Sequence, residues 1–110
     1  MSANFVELTS VEILDKLFQQ SAGQPVILFK HSLTCGISTG VFREIANVNA
    51  DINLVIVQDA RNISNLIADK TGIRHESPQA IVLIDGKPVY HASHYDITAE
   101  DVEKVLSLKS

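Results

Sequence analysis

The chain has 110 residues, of which 45% are hydrophobic and 20% are charged, and its formal net charge at pH 7 is -4. This length and composition predict a single domain over residues 1–110 with one buried core. The acidic balance argues against a nucleic-acid-binding surface, and no apolar run approaches the ~20 residues that a membrane span needs. The N-terminal residues lack the basic and apolar regions of a secretory signal, so we expect a cytoplasmic protein without nucleic-acid or membrane partners.

Cys35 is the single cysteine of the chain. One cysteine excludes an internal disulfide, a Cys-x-x-Cys dithiol and an all-cysteine zinc site, and it fits a reducing compartment. One cysteine and scattered histidines also give no zinc-binding spacing, so we predict no metal site. Any redox cycle of this thiol would need a thiol from outside the chain.

Hydrophobic periodicity and turn residues predict the elements of the first half of the chain. A short apolar stretch at the N-terminal end is expected to form an edge strand. Thr9 and Glu12 have the spacing of a capping box, which predicts a first helix over about 10–21. The apolar run Val26–Phe29 predicts the first central strand, and a second helix with an apolar face is expected to begin around Cys35.

The second half of the chain continues the alternation of strands and helices. The run Ile52–Val57 predicts another buried strand because it is mostly apolar and β-branched. A third helix is expected to end before Gly72. Ala80–Ile84 predicts a third buried strand. Asp85-Gly86 is a hairpin signal, so Lys87–Ala92 is expected to return antiparallel.

The predicted order of elements is β-α-β-α-β-α-β-β-α, with Thr98 capping the last helix and Asp101 at its third position. This order predicts an α/β protein with a mixed central sheet and helices on both faces. It also has a cysteine after the first central strand and a proline, Pro78, before the third. These features together fit the thioredoxin plan.

Cys35 falls where a strand passes into the N-terminus of a helix. The unpaired N–H groups and the positive end of the helix dipole stabilise a thiolate there, and thiols at such positions have lowered pKa values. The sequence therefore indicates a reactive nucleophile. The alternative is a buried, inert thiol. The small or polar neighbours Thr34 and Gly36 favour the nucleophile, and Gly36 leaves the approach to the sulfur open.

Several polar residues can tune this thiolate. Ser38 lies where a Cys-x-x-Cys enzyme has its resolving cysteine; its hydroxyl can bond the Cys35 thiolate, or it is an ordinary first-turn serine. His31 and His75 can lower the thiol pKa or protonate a leaving thiolate, unless they are surface histidines. Lys30 can also tune the thiolate, unless it is a snorkelling lysine.

Three segments resemble the YtxJ-like monothiol bacilliredoxins, and the similarity covers nearly the whole chain. They are His31–Ser38, Ile73–Gln79 and His91–Thr98. The resemblance implies a thioredoxin-like fold and an oxidoreductase that removes bacillithiol from mixed disulfides of client proteins. No cofactor would be tightly bound. Bacillithiol or another low-molecular-weight thiol would be the co-substrate, and a second small thiol or a partner reductase would recycle the protein.

The resemblance also implies roles for individual residues. By position, Cys35 is the implied nucleophile and Pro78 the implied cis proline. The backbone of Ser77 would pair with the incoming disulfide, beside Thr34 and Gly36.

The chain departs from the family pattern at two positions. Gly36 stands where the family usually has proline, and Tyr95 where tryptophan is usual. The resulting Cys-Gly-Ile-Ser is similar to the Cys-Gly-Phe-Ser of monothiol glutaredoxins, which hold iron–sulfur clusters with glutathione. A second hypothesis is therefore a dimer that binds a cluster through two copies of Cys35. A third is a non-catalytic thiol-based redox sensor.

Overall fold

The computed structural model describes residues 3–34 and 36–108. Within these ranges the elements follow the predicted order, with an additional 3-10 helix, His94–Asp96, before the last α-helix. The strands are β1 (Asn4–Glu7), β2 (Val26–His31), β3 (Asp51–Ile56), β4 (Gln79–Ile84) and β5 (Lys87–Ser93). The α-helices are α1 (Val11–Gln20), α2 (Gly36–Ile45), α3 (Arg61–Thr71) and α4 (Ala99–Ser107).

The strands form one mixed sheet in the order β1-β3-β2-β4-β5. β3 is parallel to both β1 and β2, whereas β4 is antiparallel to β2 and to β5. The register pairs Lys30 of β2 with Val55 of β3 and with Gln79 of β4. The carboxyl ends of β2 and β3 and the start of β4 therefore meet at one end of the sheet.

Two core layers lie on opposite faces of this sheet, because successive side chains of a strand point to opposite sides. One layer packs β2 and β4 against α1 and α3, with Leu14, Leu28, Ile63, Ile67 and Ile81 among its buried members. The other packs the same strands against α2 and α4, with Phe29, Val41, Ile45, Val82 and Val102 among its members. Helices thus cover both faces of the sheet, as predicted.

The first helix begins differently from the prediction. Ser10, rather than Thr9, is the N-cap: its side chain accepts a hydrogen bond from Ile13 N–H at 3.2 Å. Ser10 has the extended conformation that an N-cap requires, with φ -141°. The capping box of Thr9 and Glu12 is therefore wrong, because the adjacent hydroxyl caps the helix one residue later.

The remaining turn and cap predictions are confirmed. Gly72 follows α3 in the left-handed conformation, with φ 74°. Asp85 and Gly86 connect β4 and β5 with φ values of 54° and 74°, as a tight hairpin turn requires. Thr98 caps α4 by accepting a hydrogen bond from Asp101 N–H at 3.2 Å. None of the helices in the described ranges is long and apolar enough to cross a membrane.

Candidate active site

Cys35, the predicted nucleophile, lies outside the described residues, between Thr34 and Gly36 in the chain. The candidate site is therefore defined by the segments on either side of it. β2 ends at His31 and α2 begins at Gly36. A central strand thus precedes Cys35 in the chain and a helix follows it, as predicted.

Ser38 lies in the first turn of α2 and is fully buried. Its Oγ accepts a hydrogen bond from Ser32 N–H at 3.2 Å, which ties the segment before Cys35 to the helix after it. Because this oxygen accepts from a backbone amide, the hydroxyl proton remains available for a second partner. Ser38 thus has a structural role, and its predicted bond to the Cys35 thiolate stays a prediction.

Gln58, which was not predicted as a site residue, holds the same segment from the side of β3. Its Oε1 accepts from Leu33 N–H at 3.2 Å, and its Nε2 donates to Ser32 Oγ at 2.9 Å and to Thr34 Oγ1 at 3.2 Å. The order of the strands could have indicated that Gln58 lies near this segment. Gln58 follows closely after β3, and neighbouring parallel strands end at the same side of the sheet.

The surface at the start of α2 is open. Gly36 is exposed, and a Cβ added there would have no described neighbouring heavy atom within 4 Å. Thr34 is also exposed. The glycine is thus not required here by crowding, and its effect on the approach to the Cys35 sulfur stays a prediction, because Cys35 lies outside the described residues.

Pro78 lies at the same end of the sheet as the start of α2, because β4 pairs antiparallel with β2. The Ser77–Pro78 peptide bond is cis, as the resemblance implied. Gln79 begins β4 opposite the penultimate residue of β2, so Pro78 lies at the same end of the sheet as His31. His94 N–H donates to Pro78 O at 2.9 Å. Ser77 Oγ is buried and lacks a hydrogen-bond partner within the described chain.

His31, at the end of β2, faces the layer that contains α2. Its ring centroid lies 5.0 Å from that of Phe42 and 6.0 Å from that of Phe29. Burial lowers the pKa of His31, which favours the neutral form of its ring. Its Nδ1 is buried and has no hydrogen-bond partner among residues 3–34 and 36–108.

His75 lies on the other side of the sheet, against α3. Its Nδ1 is 3.1 Å from Lys30 Nζ and 2.9 Å from Ser64 Oγ. Burial lowers the pKa of His75, and the positive charges of Lys30 and Arg61 lower it further, against the opposing effect of Glu76. The structure thus places the two candidate histidines on opposite faces of the sheet.

Lys30 is only 1% exposed. Its Nζ donates to Ser64 O at 3.1 Å, in addition to its contact with His75. Burial lowers the pKa of Lys30 to about 8. The snorkelling alternative is excluded, because a snorkelling lysine keeps its ammonium group in water.

Within residues 3–34 and 36–108, no group of three or more His, Cys, Asp or Glu side chains is arranged to hold a metal ion. The iron–sulfur hypothesis depends on Cys35 itself, which lies outside these ranges.

Comparisons with known proteins agree with this architecture. The model of the monothiol bacilliredoxin BrxC family matches residues 6–102. A solved structure of a candidate oxidoreductase with a thioredoxin fold has 30% sequence identity and a TM-score of 0.83, with 91% of each chain covered. These matches indicate a monothiol redox function.

Two more distant structures support the fold alone. Thioredoxin from Nicotiana alata has 14% identity and a TM-score of 0.72, over 99% of this chain and 95% of that one. Reduced thioredoxin from Schistosoma mansoni has 20% identity and a TM-score of 0.67, over 97% and 99% respectively. The predicted thioredoxin-like fold is confirmed.

Proposed function

The chain belongs to the monothiol bacilliredoxin family and is a thiol–disulfide oxidoreductase, and on this premise we propose that it removes bacillithiol from mixed disulfides of client proteins. The observation that carries the proposal is the position of Cys35, the single cysteine, directly before the first residue of α2. A thiol at a helix N-terminus is favoured as a thiolate, which is the form that attacks a disulfide.

The proposed reaction is one thiol–disulfide exchange followed by another. The Cys35 thiolate attacks the bacillithiol sulfur of the mixed disulfide; a new S–S bond forms, and the client leaves as a thiolate that takes a proton from solvent. A second small thiolate then attacks the bacillithiol sulfur. This step releases Cys35 as a thiolate and produces a disulfide of two small thiols. Each step conserves the number of S–S bonds, and over both steps the client is reduced to a thiol while the second small thiol is oxidised to a disulfide.

Residues around Cys35 are proposed to stabilise its thiolate. Ser38 has a hydroxyl proton that its bond to Ser32 N–H leaves available. His31 lies on the α2 face of the sheet, its Nδ1 is buried, and burial lowers the pKa of its ring. His31 is favoured over His75 for this role, because Lys30 and Ser64 occupy His75 on the opposite face.

The incoming disulfide is proposed to lie between the start of α2 and the loop that contains the cis proline. The exposed Thr34 and Gly36 would form one side of this site, and the backbone of Ser77 and Pro78 the other. The pairing of β2 with β4 supports this arrangement. Gln79 pairs with Lys30, so Pro78 lies near the end of β2. S-thiolated proteins are the proposed clients.

The proposal is tested by intact-protein mass spectrometry. The protein is mixed with a model client carrying a bacillithiol mixed disulfide and, separately, with the same client carrying a glutathione mixed disulfide. We expect faster transfer of the bacillithiol mass to this protein, and no transfer to Cys35→Ser. Faster transfer of glutathione would overturn the assignment of bacillithiol, and absence of transfer from both would overturn the exchange reaction.

A further inference from the structure

A cavity of about 110 Å³ lies beside the start of α3 and is lined by Val57, Arg61, Ser64, Asn65 and His75. We propose that this cavity is a carboxylate-binding subsite that holds an anionic group of the low-molecular-weight thiol during exchange. The inference rests on the proposed function and deepens it by specifying the class of small thiol that the site accepts.

The cavity adjoins the segment that leads to Cys35. Val57, in its wall, donates its N–H to His31 O at 3.0 Å, at the end of β2. The next residue, Gln58, holds Leu33 and Thr34 through its side chain. A small molecule with one group in this cavity would therefore lie beside the loop before the cysteine.

A cationic side chain, Arg61, lines the cavity, although the chain as a whole is acidic. Arg61 and Lys30 both act on His75 as positive charges, and Glu76 is the acidic group that opposes them there. In the described part of the chain no carboxylate forms a salt bridge with Arg61. An arginine that lines a cavity and forms no salt bridge with a described carboxylate is suited to binding an anion.

The lining groups present hydrogen-bond donors. An ammonium group at Lys30 can only donate, and a His75 Nδ1 that accepts from it leaves Nε2 as the N–H donor of the neutral ring. The Arg61 guanidinium and the Asn65 amide add further donors, and a carboxylate offers only acceptors.

The size of the cavity also fits one functional group better than a whole ligand. Pockets that bury entire small molecules have volumes of roughly 300–1,000 Å³. The cavity beside Arg61 is about 110 Å³. It can hold a carboxylate while the rest of the small thiol extends toward the loop before Cys35.

The first test measures binding without any reaction. Succinate is added to the full chain at pH 7, and the ring resonances of His75 and the side-chain amide of Asn65 are followed by NMR. We expect the chemical shifts of these resonances to change saturably with succinate and to stay constant with succinamide, its uncharged analogue. Arg61→Gln is expected to weaken the affinity about tenfold or more, whereas Arg43→Gln on α2 should bind like the wild type. No saturable change, or equal affinity in both variants, would overturn the subsite.

The second test separates this inference from the proposed function. A model client carries a mixed disulfide either with thioglycolate, which has a carboxylate, or with 2-mercaptoethanol, which does not. We expect the wild type to prefer the thioglycolate disulfide, through a lower KM, and Arg61→Gln to lose about tenfold of that preference while Arg43→Gln keeps it. A wild type that exchanges both equally contradicts the subsite alone. If the wild type exchanges neither mixed disulfide, the proposed function is contradicted. The succinate titration then shows by itself whether the cavity binds a carboxylate.

Discussion

Ser38 Oγ accepts the hydrogen bond of Ser32 N–H at 3.2 Å, so one buried hydroxyl joins the segment before Cys35 to the helix that follows it. Ser38→Ala leaves a buried amide without its acceptor, which costs about 1–3 kcal/mol. We expect a loss of that size in the free energy of unfolding, measured with urea, and an increase in the Cys35 thiol pKa. Thr39→Ala, at the next and exposed position, is the control; an equal loss in both variants would contradict this role.

The Gln58 side chain holds the loop before Cys35 through three hydrogen bonds. Gln58→Glu keeps an acceptor for Leu33 N–H, removes the amide group that donates to the hydroxyls of Ser32 and Thr34, and adds a negative charge. We expect a higher thiol pKa, because a nearby negative charge disfavours the thiolate, and a slower transfer reaction. The pH dependence of alkylation by iodoacetamide measures the pKa. Gln24→Glu makes the same charge change before β2, at the other end of the sheet. An equal shift of the thiol pKa in this variant would contradict a local effect of residue 58.

Lys30 gives folding stability a defined pH dependence. Its folded-state pKa of about 8 lies below the unfolded value of 10.5, so below pH 8 both states are protonated and the buried charge costs on the order of 3 kcal/mol. Between pH 8 and 10.5 the unfolded state binds more protons, and the free energy of unfolding therefore rises with pH. Urea unfolding at several pH values should show this rise in the wild type and its loss in Lys30→Met.

The control for this measurement is Lys16→Met, which removes an exposed lysine of α1. The quantity of interest is the difference in the free energy of unfolding between the wild type and Lys30→Met. In this difference the contributions of the other groups that titrate in this range cancel. A difference that is constant from pH 7 to 10.5 would contradict the buried charge of Lys30.

Proline substitution at Gly36 tests whether α2 begins at this residue. It is the first residue of the helix, where proline is favoured because the missing N–H has no helical partner. A side chain there meets no described heavy atom within 4 Å. Gly36→Pro is expected to raise the free energy of unfolding by up to about 1 kcal/mol. Gly40→Pro, inside the same helix, should lower it by about 3 kcal/mol or more, and thermal unfolding that ranks the two in the opposite order would contradict the assigned helix start.

Sequence patterns predicted those parts of the site that depend on local order along the chain. The strand before Cys35, the helix after it and the proline before β4 each follow from neighbouring residues. The prediction of the N-cap of α1 was wrong, because Thr9 and Ser10 both have hydroxyls that can cap a helix and only the structure distinguishes them. Cap positions one residue apart are not separable by residue type alone.

Long-range polar contacts were not predictable in this way. Gln58 reaches the Ser32–Thr34 segment only because β2 and β3 are adjacent and parallel. Lys30 meets Ser64 and His75 only because β2, α3 and the segment before β4 converge on one face. No periodicity or spacing in a single sequence marks such contacts, since each depends on the packing of separate elements.

The most direct test of the account is the pH dependence of bacillithiol transfer from a model client to this protein. The second-order rate constant is measured by intact-protein mass spectrometry from pH 5 to 10, for the wild type and for Cys35→Ser. We expect the wild-type rate to rise to a plateau with a midpoint below about 8.5, the pKa of an ordinary cysteine, and no transfer to Cys35→Ser at any pH. A midpoint at or above about 8.5, or transfer that persists in Cys35→Ser, would contradict a helix-stabilised Cys35 thiolate as the nucleophile.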